Sequence, residues 1–401
     1  MWPEPTSSAA GWRILHLVKL FSRLGKVHFC SSASKSEYSV ELSKFDVTEH
    51  EILLNDSSFD TFINNLNPDV VVFDRYISEE QYGWRVNEIC PNALRILDTE
   101  DLHFLRQARA EAYKKNDSLN LYTSTAKREI ASILRTDLSL VISKKEMDVL
   151  TKQFNIPKER LFYIPFQEEP LSKHYILNLP SFDERKNFVF IGNFLHLPNV
   201  KTVEVLKRDI WPTLRKLCPG AELHIYGAYA SQNILNMTKA NEKFYIKSRA
   251  FDARDTLSKY RVLIAPIPFG AGTKGKFVDA MGAGTPSVST QIGQESMNEN
   301  SEWNGFVTDS MEDFIQKSEL LYKNQQVWNE SRNKGYIIFE KMFADLSYSE
   351  ELLKTVLLYK KDIQFIRKSN FISQILLSQQ NNASKYMSLW IQEKNKNKSN
   401  I

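Results

Sequence analysis

The residues whose types and spacing suit chemistry are concentrated at 270–279, where Gly270, Ala271, Gly272, Thr273, Lys274, Gly275, Lys276 and Phe277 are followed by Asp279. Gly270, Gly272 and Gly275 satisfy G-x-G-x-x-G, the pattern of a dinucleotide turn, while Gly270, Gly275 and Lys276 satisfy G-x-x-x-x-G-K, the pattern of a P-loop. A P-loop also needs a hydroxyl after its lysine to hold Mg²⁺ and a carboxylate after a later strand. Phe277 supplies no hydroxyl, and the strand-like segment 286–290 ends without an acid. A dinucleotide turn belongs after the first strand of its domain, with an acid about 20 residues on. Here the motif comes late in a second α/β unit, and the next strand ends in Ser289 and Thr290. What remains, beside glycines that merely permit a tight turn, is a loop whose backbone N–H groups face an anion at the start of a helix near Thr273. A lysine in the first turn of a helix opposes the macrodipole unless an anion is present, so Lys276 points to a bound phosphate. Asp279 lies one turn on along the same face, where it could accept hydrogen bonds from ribose hydroxyls or simply pair with Lys276, a contact worth about 0.3–0.5 kcal/mol.

Such a loop needs a strand before it and a helix behind it. "VLIAPIP" (262–268) reads as the strand and "KGKFVDAMGAG" (274–284) as the helix. The same alternation runs along the chain. "DVVVFD" (69–74), "ALRILD" (93–98) and "DLSLVIS" (137–143) each precede a segment of helical spacing, and "RLFYIPF" (160–166) closes this series. A second series starts at "FVFIG" (188–192) and continues through "ELHIYG" (222–227), "FYIK" (244–247), 262–268 and "PSVST" (286–290). Strands alternating with helices of about 10–15 residues mean βαβ units and parallel sheets. The expected fold class is therefore α/β, with two Rossmann-like open parallel-sheet domains over 1–166 and 167–345, and C-terminal helices with a basic tail over 346–401. Ligands of such sheets bind at the carboxyl ends of the strands.

Composition narrows the function classes. The 401 residues are 42% hydrophobic and 25% charged with a net charge of +4, a balance that suits a globular protein and argues against a nucleic-acid binder. Cys30, Cys90 and Cys218 form no CxxC pair, so neither a zinc site nor a disulfide framework is indicated. No apolar run approaches the roughly 18 residues that cross a bilayer, and "MWPEPTSSAA" lacks the regions of a signal peptide. A cytoplasmic location is expected. Residues 360–401 hold eight Lys or Arg against Asp362 and Glu393. This tail either lies on an anionic membrane or packs back on the first domain, and its end "NKNKSNI" is expected to be disordered.

"YRVLIAPIPFGAGTKGKFVDAMGAGTPSVST" (260–290) resembles the donor-binding segment of retaining glycosyltransferases with the GT-B fold, the family 4 group also called glycosyl transferases group 1, in its bacterial type. "FIGNFLHLPNVKTVEVLKRDIWPTLRKLCPGAELHIYG" (190–227) is similar to the start of that family's donor domain, with a glycine turn and a Pro-Asn pair, and "LSLVISKKEMDVLTKQFNIPKERLFYIPF" (138–166) to the close of its acceptor domain. The resemblance covers roughly 12–345. It implies metal-independent transfer of a sugar, with retention, from a nucleotide diphosphate sugar (UDP- or GDP-linked) to an acceptor hydroxyl, with no other cofactor. The loop Gly270, Ala271, Gly272, Thr273 and Lys274 would hold the diphosphate and Lys276 would neutralise it as a catalytic residue. Asp279 would grip the ribose, Arg249 and Phe251 would meet the base, and Gly192 and Asn193 would face the diphosphate from the other side. On the acceptor side, "ILDTEDLHFLR" (96–106) resembles the turn that faces the cleft, with His103 as a second catalytic residue and Glu100 and Asp101 beside the sugar or acceptor. The latter two also suit a helix N-terminus on their own. The acceptor would be a glycan, a lipid-linked sugar or a small molecule.

Three departures from the family pattern stand out. The first Glu of its E-x7-E motif falls on Ala271, and the basic pair after "FIGN" is replaced by "FLHLPN", with His196 nearby. The loop after the family's first strand starts at Trp2, so that strand is expected to be missing. A non-catalytic sugar-nucleotide-binding protein of the same fold, or a sugar-nucleotide epimerase, are the alternatives.

Overall fold

The computed structural model describes residues 2–399, apart from the side chains of 379–384 and 397–399. Helix α1 (Ala9–Phe21) is capped by Ser8, whose hydroxyl accepts the Gly11 N–H. It leads into strands β1 (Val27–Ser31) and β2 (Val47–Glu51), which pair in parallel with Val27 opposite Val47. Next come β3 (Val70–Asp74), α2 (Arg75–Ile89), β4 (Leu94–Asp98), α3 (His103–Lys115), α4 (Ser124–Arg135), β5 (Leu138–Val141), α5 (Lys144–Gln153) and β6 (Leu161–Tyr163). Strands β3 to β6 form a separate four-stranded parallel sheet in sequential order. Every residue of β4 and β5 is buried, which explains their nearly unbroken apolar runs.

Helix α1 serves both sheets. Ile14, Leu15 and Val18 pack with Trp2, Val27 and Val47, while Leu17 and Leu20 pack with Leu94, Ile96, Leu138 and Leu140. Between these faces Arg13 is withdrawn from water and forks onto Asp98 at the end of β4, with Nη2 to Oδ1 at 2.8 Å, while Nη1 donates to the Ile164 carbonyl at 2.9 Å.

The second domain has β7 (Lys186–Ile191), α6 (Leu197–Val205), β8 (Leu223–Tyr226), β9 (Phe244–Ile246), β10 (Tyr260–Ala265), α7 (Gly275–Gly282), β11 (Ser287–Ser289) and β12 (Gly305–Val307). Its six parallel strands run β12-β11-β10-β7-β8-β9, so the chain starts in the centre, fills one side and then crosses to the other. That is the doubly wound arrangement, and its crevice lies between β7 and β10, where the winding reverses. The two Rossmann-like domains expected of the sequence are present.

Some local details differ from expectation. Helix α7 begins at Gly275 with the extended residue Lys274 as its cap, two residues later than Thr273. The helical run that starts with α6 passes through a π turn at Leu206–Ile210, next to Pro212, which cannot donate into the helix. Helices α8 (Ser347–Lys361), α9 (Ile363–Lys368) and α10 (Phe371–Ser399) finish the chain, and α10 continues through 395–399, where disorder was expected. Residues 400 and 401 lie outside the described residues.

Removing one partner of a buried ion pair leaves the other charge uncompensated, at about 3–5 kcal/mol. Arg13→Ala should therefore lower the stability of the first domain by that order in urea denaturation. A loss below about 1 kcal/mol would show that Arg13 does not pin α1 to the sheet.

Candidate functional site

Strand β7 ends at Ile191 and β10 at Ala265, and the loop 266–274 runs from β10 across the crevice to α7. Its middle is pressed against the first domain. Gly272 has φ +64°, and a Cβ there would lie 2.9 Å from the Cβ of Asp101, so both conformation and space call for glycine. Ala271 packs against the core of the first domain.

Lys276, in the first turn of α7, points its Nζ at Asn199 Oδ1 (2.9 Å) and lies 5.2 Å from the centre of the Phe190 ring. It has no carboxylate partner among the described residues, and burial, with Lys274 nearby, lowers its pKa to about 7. Lys274 turns back to the Gly272 carbonyl at 2.8 Å, and burial brings it to about 8. Asp279 does not pair with Lys276. It faces Arg254 at 3.6 Å, which in turn holds Glu168 at 2.6 Å, and burial raises the Asp279 carboxyl to about 7. The Gly192 N–H is taken by the Tyr226 carbonyl, and the Asn193 side chain donates to the Ser7 carbonyl at 3.1 Å. Arg249 reaches the Thr6 hydroxyl at 2.8 Å and lies over Tyr38 and Phe251, the latter 79% exposed.

The opposite wall comes from the turn after β4 and from α3. Glu100 is buried with φ +61°, and desolvation together with Asp98 holds its carboxyl well above the usual range. Asp101 pairs with Arg106 and lies 3.5 Å from His103 Nε2. Burial alone would raise Asp101, but Arg106, His103 and His196 outweigh it and hold it low. Partial burial lowers His103 to about 4, so its imidazole is neutral at pH 7, while His196 stands at the exposed edge of the site. Asp101, His103 and His196 thus gather beside Gly272, while Lys276 stands with Asn199.

Four participants were not singled out in the sequence. Glu146, on α5, is fully buried, and its Oε1 accepts the N–H of Leu102 at 2.8 Å and the N–H of Gly272 at 2.9 Å. One carboxyl oxygen therefore joins the two domains at the loop. Burial, reinforced by Asp101, raises Glu146 to about 8, and its Oε2 has no hydrogen-bond partner. Ser143-Lys144-Lys145-Glu146 reads as a capping box, and Ser143 does accept the Glu146 N–H, yet the carboxyl turns outward to the other domain. Arg109, on α3, donates to the Gly270 carbonyl at 2.7 Å and forks onto Glu295, with both bonds at 2.8 Å. Asn199 belongs to the Pro-Asn pair that the sequence does display.

Residues 185–324, which contain the whole six-stranded sheet, match the family model described as glycosyl transferases group 1. No curated protein matches the chain. Among solved structures, sucrose-phosphate synthase from Thermosynechococcus elongatus is similar at a TM-score of 0.64 and 13% identity, over 90% of this chain and 97% of that one. Anabaena HepE in complex with UDP-glucose is similar at a TM-score of 0.64 and 12% identity, over 87% and 96%. S. aureus TarM, solved with fondaparinux, alpha-GlcNAc-glycerol and UDP, is similar at a TM-score of 0.58 and 14% identity, over 74% of this chain. The chain spans 58% of the length of that TarM chain. At these identities the likeness is one of fold.

Glutamine reproduces the shape of Glu146 and can accept both N–H bonds without ever ionising. A carboxyl whose folded pKa is raised above its unfolded value contributes stability that is fully present below about 4.5 and is lost as pH rises through the folded value of about 8. Glu146→Gln should accordingly gain stability over the parent between about pH 5 and pH 8 and keep a constant lead above that. Melting temperatures across this range would check it, and a pH-independent offset would contradict a buried neutral carboxyl.

Proposed function

We infer that the chain moves a glycosyl group from a nucleoside diphosphate sugar to an acceptor hydroxyl. The observation that carries this reading is Lys276, a lysine without an anionic partner among the described residues, set in the first turn of a helix at the reversal point of a doubly wound sheet. Burial and the helix dipole both disfavour its charge. A diphosphate supplies the missing counter-charge. The group 1 match over this sheet supports a nucleotide sugar as its source.

The reaction breaks the bond between the anomeric carbon and the diphosphate and forms one to the acceptor oxygen. Charge grows on the departing diphosphate, where Lys276 and the N-terminus of α7 stabilise it. Asp279, next along α7, takes the ribose, and the exposed Phe251 ring with the Arg249 guanidinium forms a stacking surface for the base. On the other wall His103 is neutral, oriented by Asp101, and so able to receive the acceptor's proton. Glu100 and Asp101 bound the acceptor side. Retention at the anomeric carbon and independence of metal follow from the resemblance of 260–290 to the retaining family, as does the choice of UDP or GDP.

One observation favours a second reading, a sugar-nucleotide-binding protein without turnover. The Gly272 N–H, which would face the donor, is already held by Glu146. Incubation with UDP- and GDP-sugars separates the two readings. Release of nucleotide that accelerates with acceptor supports transfer, and binding without release supports the second.

Two further outcomes follow from Lys276. Lys276→Met should leave the ligand-free chain as stable as the parent or more so, while abolishing the thermal shift given by a nucleoside diphosphate and cutting turnover by about 10²-fold or more. Normal turnover would move Lys276 out of the site. Because its ammonium is lost above about pH 7 in the free chain, diphosphate binding should take up a proton, and affinity should fall by up to about tenfold per pH unit above that point. Calorimetry in buffers of different ionisation enthalpy measures the uptake directly.

A further inference from the structure

Helix α10 runs 29 residues, about 43 Å, along the first domain. The face turned to the protein carries polar contacts beside the half-buried Leu377 and Ile391. Ser373 donates to the Arg135 carbonyl at 3.3 Å, Ser388 accepts from Arg85 at 3.0 Å, Gln392 donates to Ser57 at 2.9 Å and Lys385 pairs with Glu88 at 2.8 Å. The face turned to solvent is apolar. Phe371 (70% exposed), Ile372 (56%), Ile375 (41%), Tyr386 (63%), Leu389 (40%) and Trp390 (59%) fall within about 100° of arc at 3.6 residues per turn. A globular protein ordinarily turns the apolar residues of a helix inward, and apolar side chains left exposed on one side of a helix mark a contact surface.

We propose that this face lies on an anionic lipid bilayer. Charge supports that occupant, since Lys361, Lys368 and Lys394 are exposed and stand outside the ion pairs that tie Lys360, Arg367 and Lys385 to the first domain and Lys396 to Glu393. The mix of side chains supports it as well. Trp390 and Tyr386 have the amphipathic rings of a membrane interface, with Lys394 5.0 Å above the Trp390 ring. Among the described residues no helix is long and apolar enough to cross a membrane, so the contact is a surface one. The two apolar patches, 371–375 and 386–390, are separated by about 16 Å along the helix. A planar surface touches both at once. A second copy would need an unbroken seam, yet the residues that continue the spacing are Ser378, Asn382 and Glu393. The surface is independent of any donor or acceptor, so its test needs neither.

Sedimentation of the full chain with vesicles of phosphatidylcholine alone, or with about one third phosphatidylglycerol, tests the proposal. The chain should pellet with the anionic vesicles, less so as salt rises, and at least about tenfold less when Phe371→Ser, Ile375→Ser and Trp390→Ser are combined. These side chains are exposed, so an unchanged melting temperature would show that the variant is folded. A parent that stays in solution with both vesicles, or a triple variant that pellets as well as the parent, would overturn the proposal. A stable dimer that the triple variant converts to monomer, without vesicle binding, would assign the face to a second copy instead.

Discussion

A single buried carboxyl, Glu146, accepts one backbone N–H from each domain, and the geometry of the whole cleft depends on it. A charged carboxylate would pay heavily for such burial, and two N–H bonds return only part of that. Raised to about 8, the group remains neutral at pH 7 and can sit between the domains without a cation of its own. Around it the loop is fixed by backbone contacts from both sides, with Arg109 on Gly270 and Asp101 against Gly272. At this loop the second domain meets the first largely through main-chain groups that its own sheet positions.

The cleft sorts its charges by wall. The second domain brings Lys274 and Lys276, both with lowered pKa, so each is poorly compensated in the ligand-free chain. The first domain brings carboxyls, of which Glu100 and Glu146 are raised by burial while Asp101 is held low, chiefly by Arg106. Perturbed groups of both signs in one crevice are a recognised mark of a functional site. The half-buried His103 stays neutral between these walls.

The α/β alternation was legible because parallel strands buried on both faces must be continuous apolar runs, as "LRILD" and "LSLV" are. Strands β1 and β2 escaped notice for the opposite reason. "VHFCS" and "VTEHE" are largely half-exposed and carry His and Glu, so neither apolar continuity nor alternation marks them. The anion loop was legible from glycine spacing and the lysine after it. Glu146, Arg109 and Glu295 were not, since their partners in the other domain lie 126 or more positions away and nothing local distinguishes a bridging acid from a helix cap. Asp279 shows the limit of local spacing in another way. A lysine three residues before it suggested a pair, but Arg254 from a neighbouring helix is the closer cation.

The division of the first domain into a two-stranded and a four-stranded sheet gives its beginning a character of its own. Strands β1 and β2 hydrogen-bond to each other and reach the rest of the domain largely through side chains of α1. Units joined by packing without a shared ladder open at lower free energy than the sheet beside them. The segment at the head of this unit is the one that Tyr229, Asn193 and Arg249 of the second domain hold, through Glu4, Ser7 and Thr6. One end of the crevice is thus moored to the most loosely integrated part of the fold, and the other to a fully paired sheet. The crevice is consequently held unevenly, by contacts to a packed-on unit near residues 4–7 and by backbone N–H bonds to a buried carboxyl near Glu146.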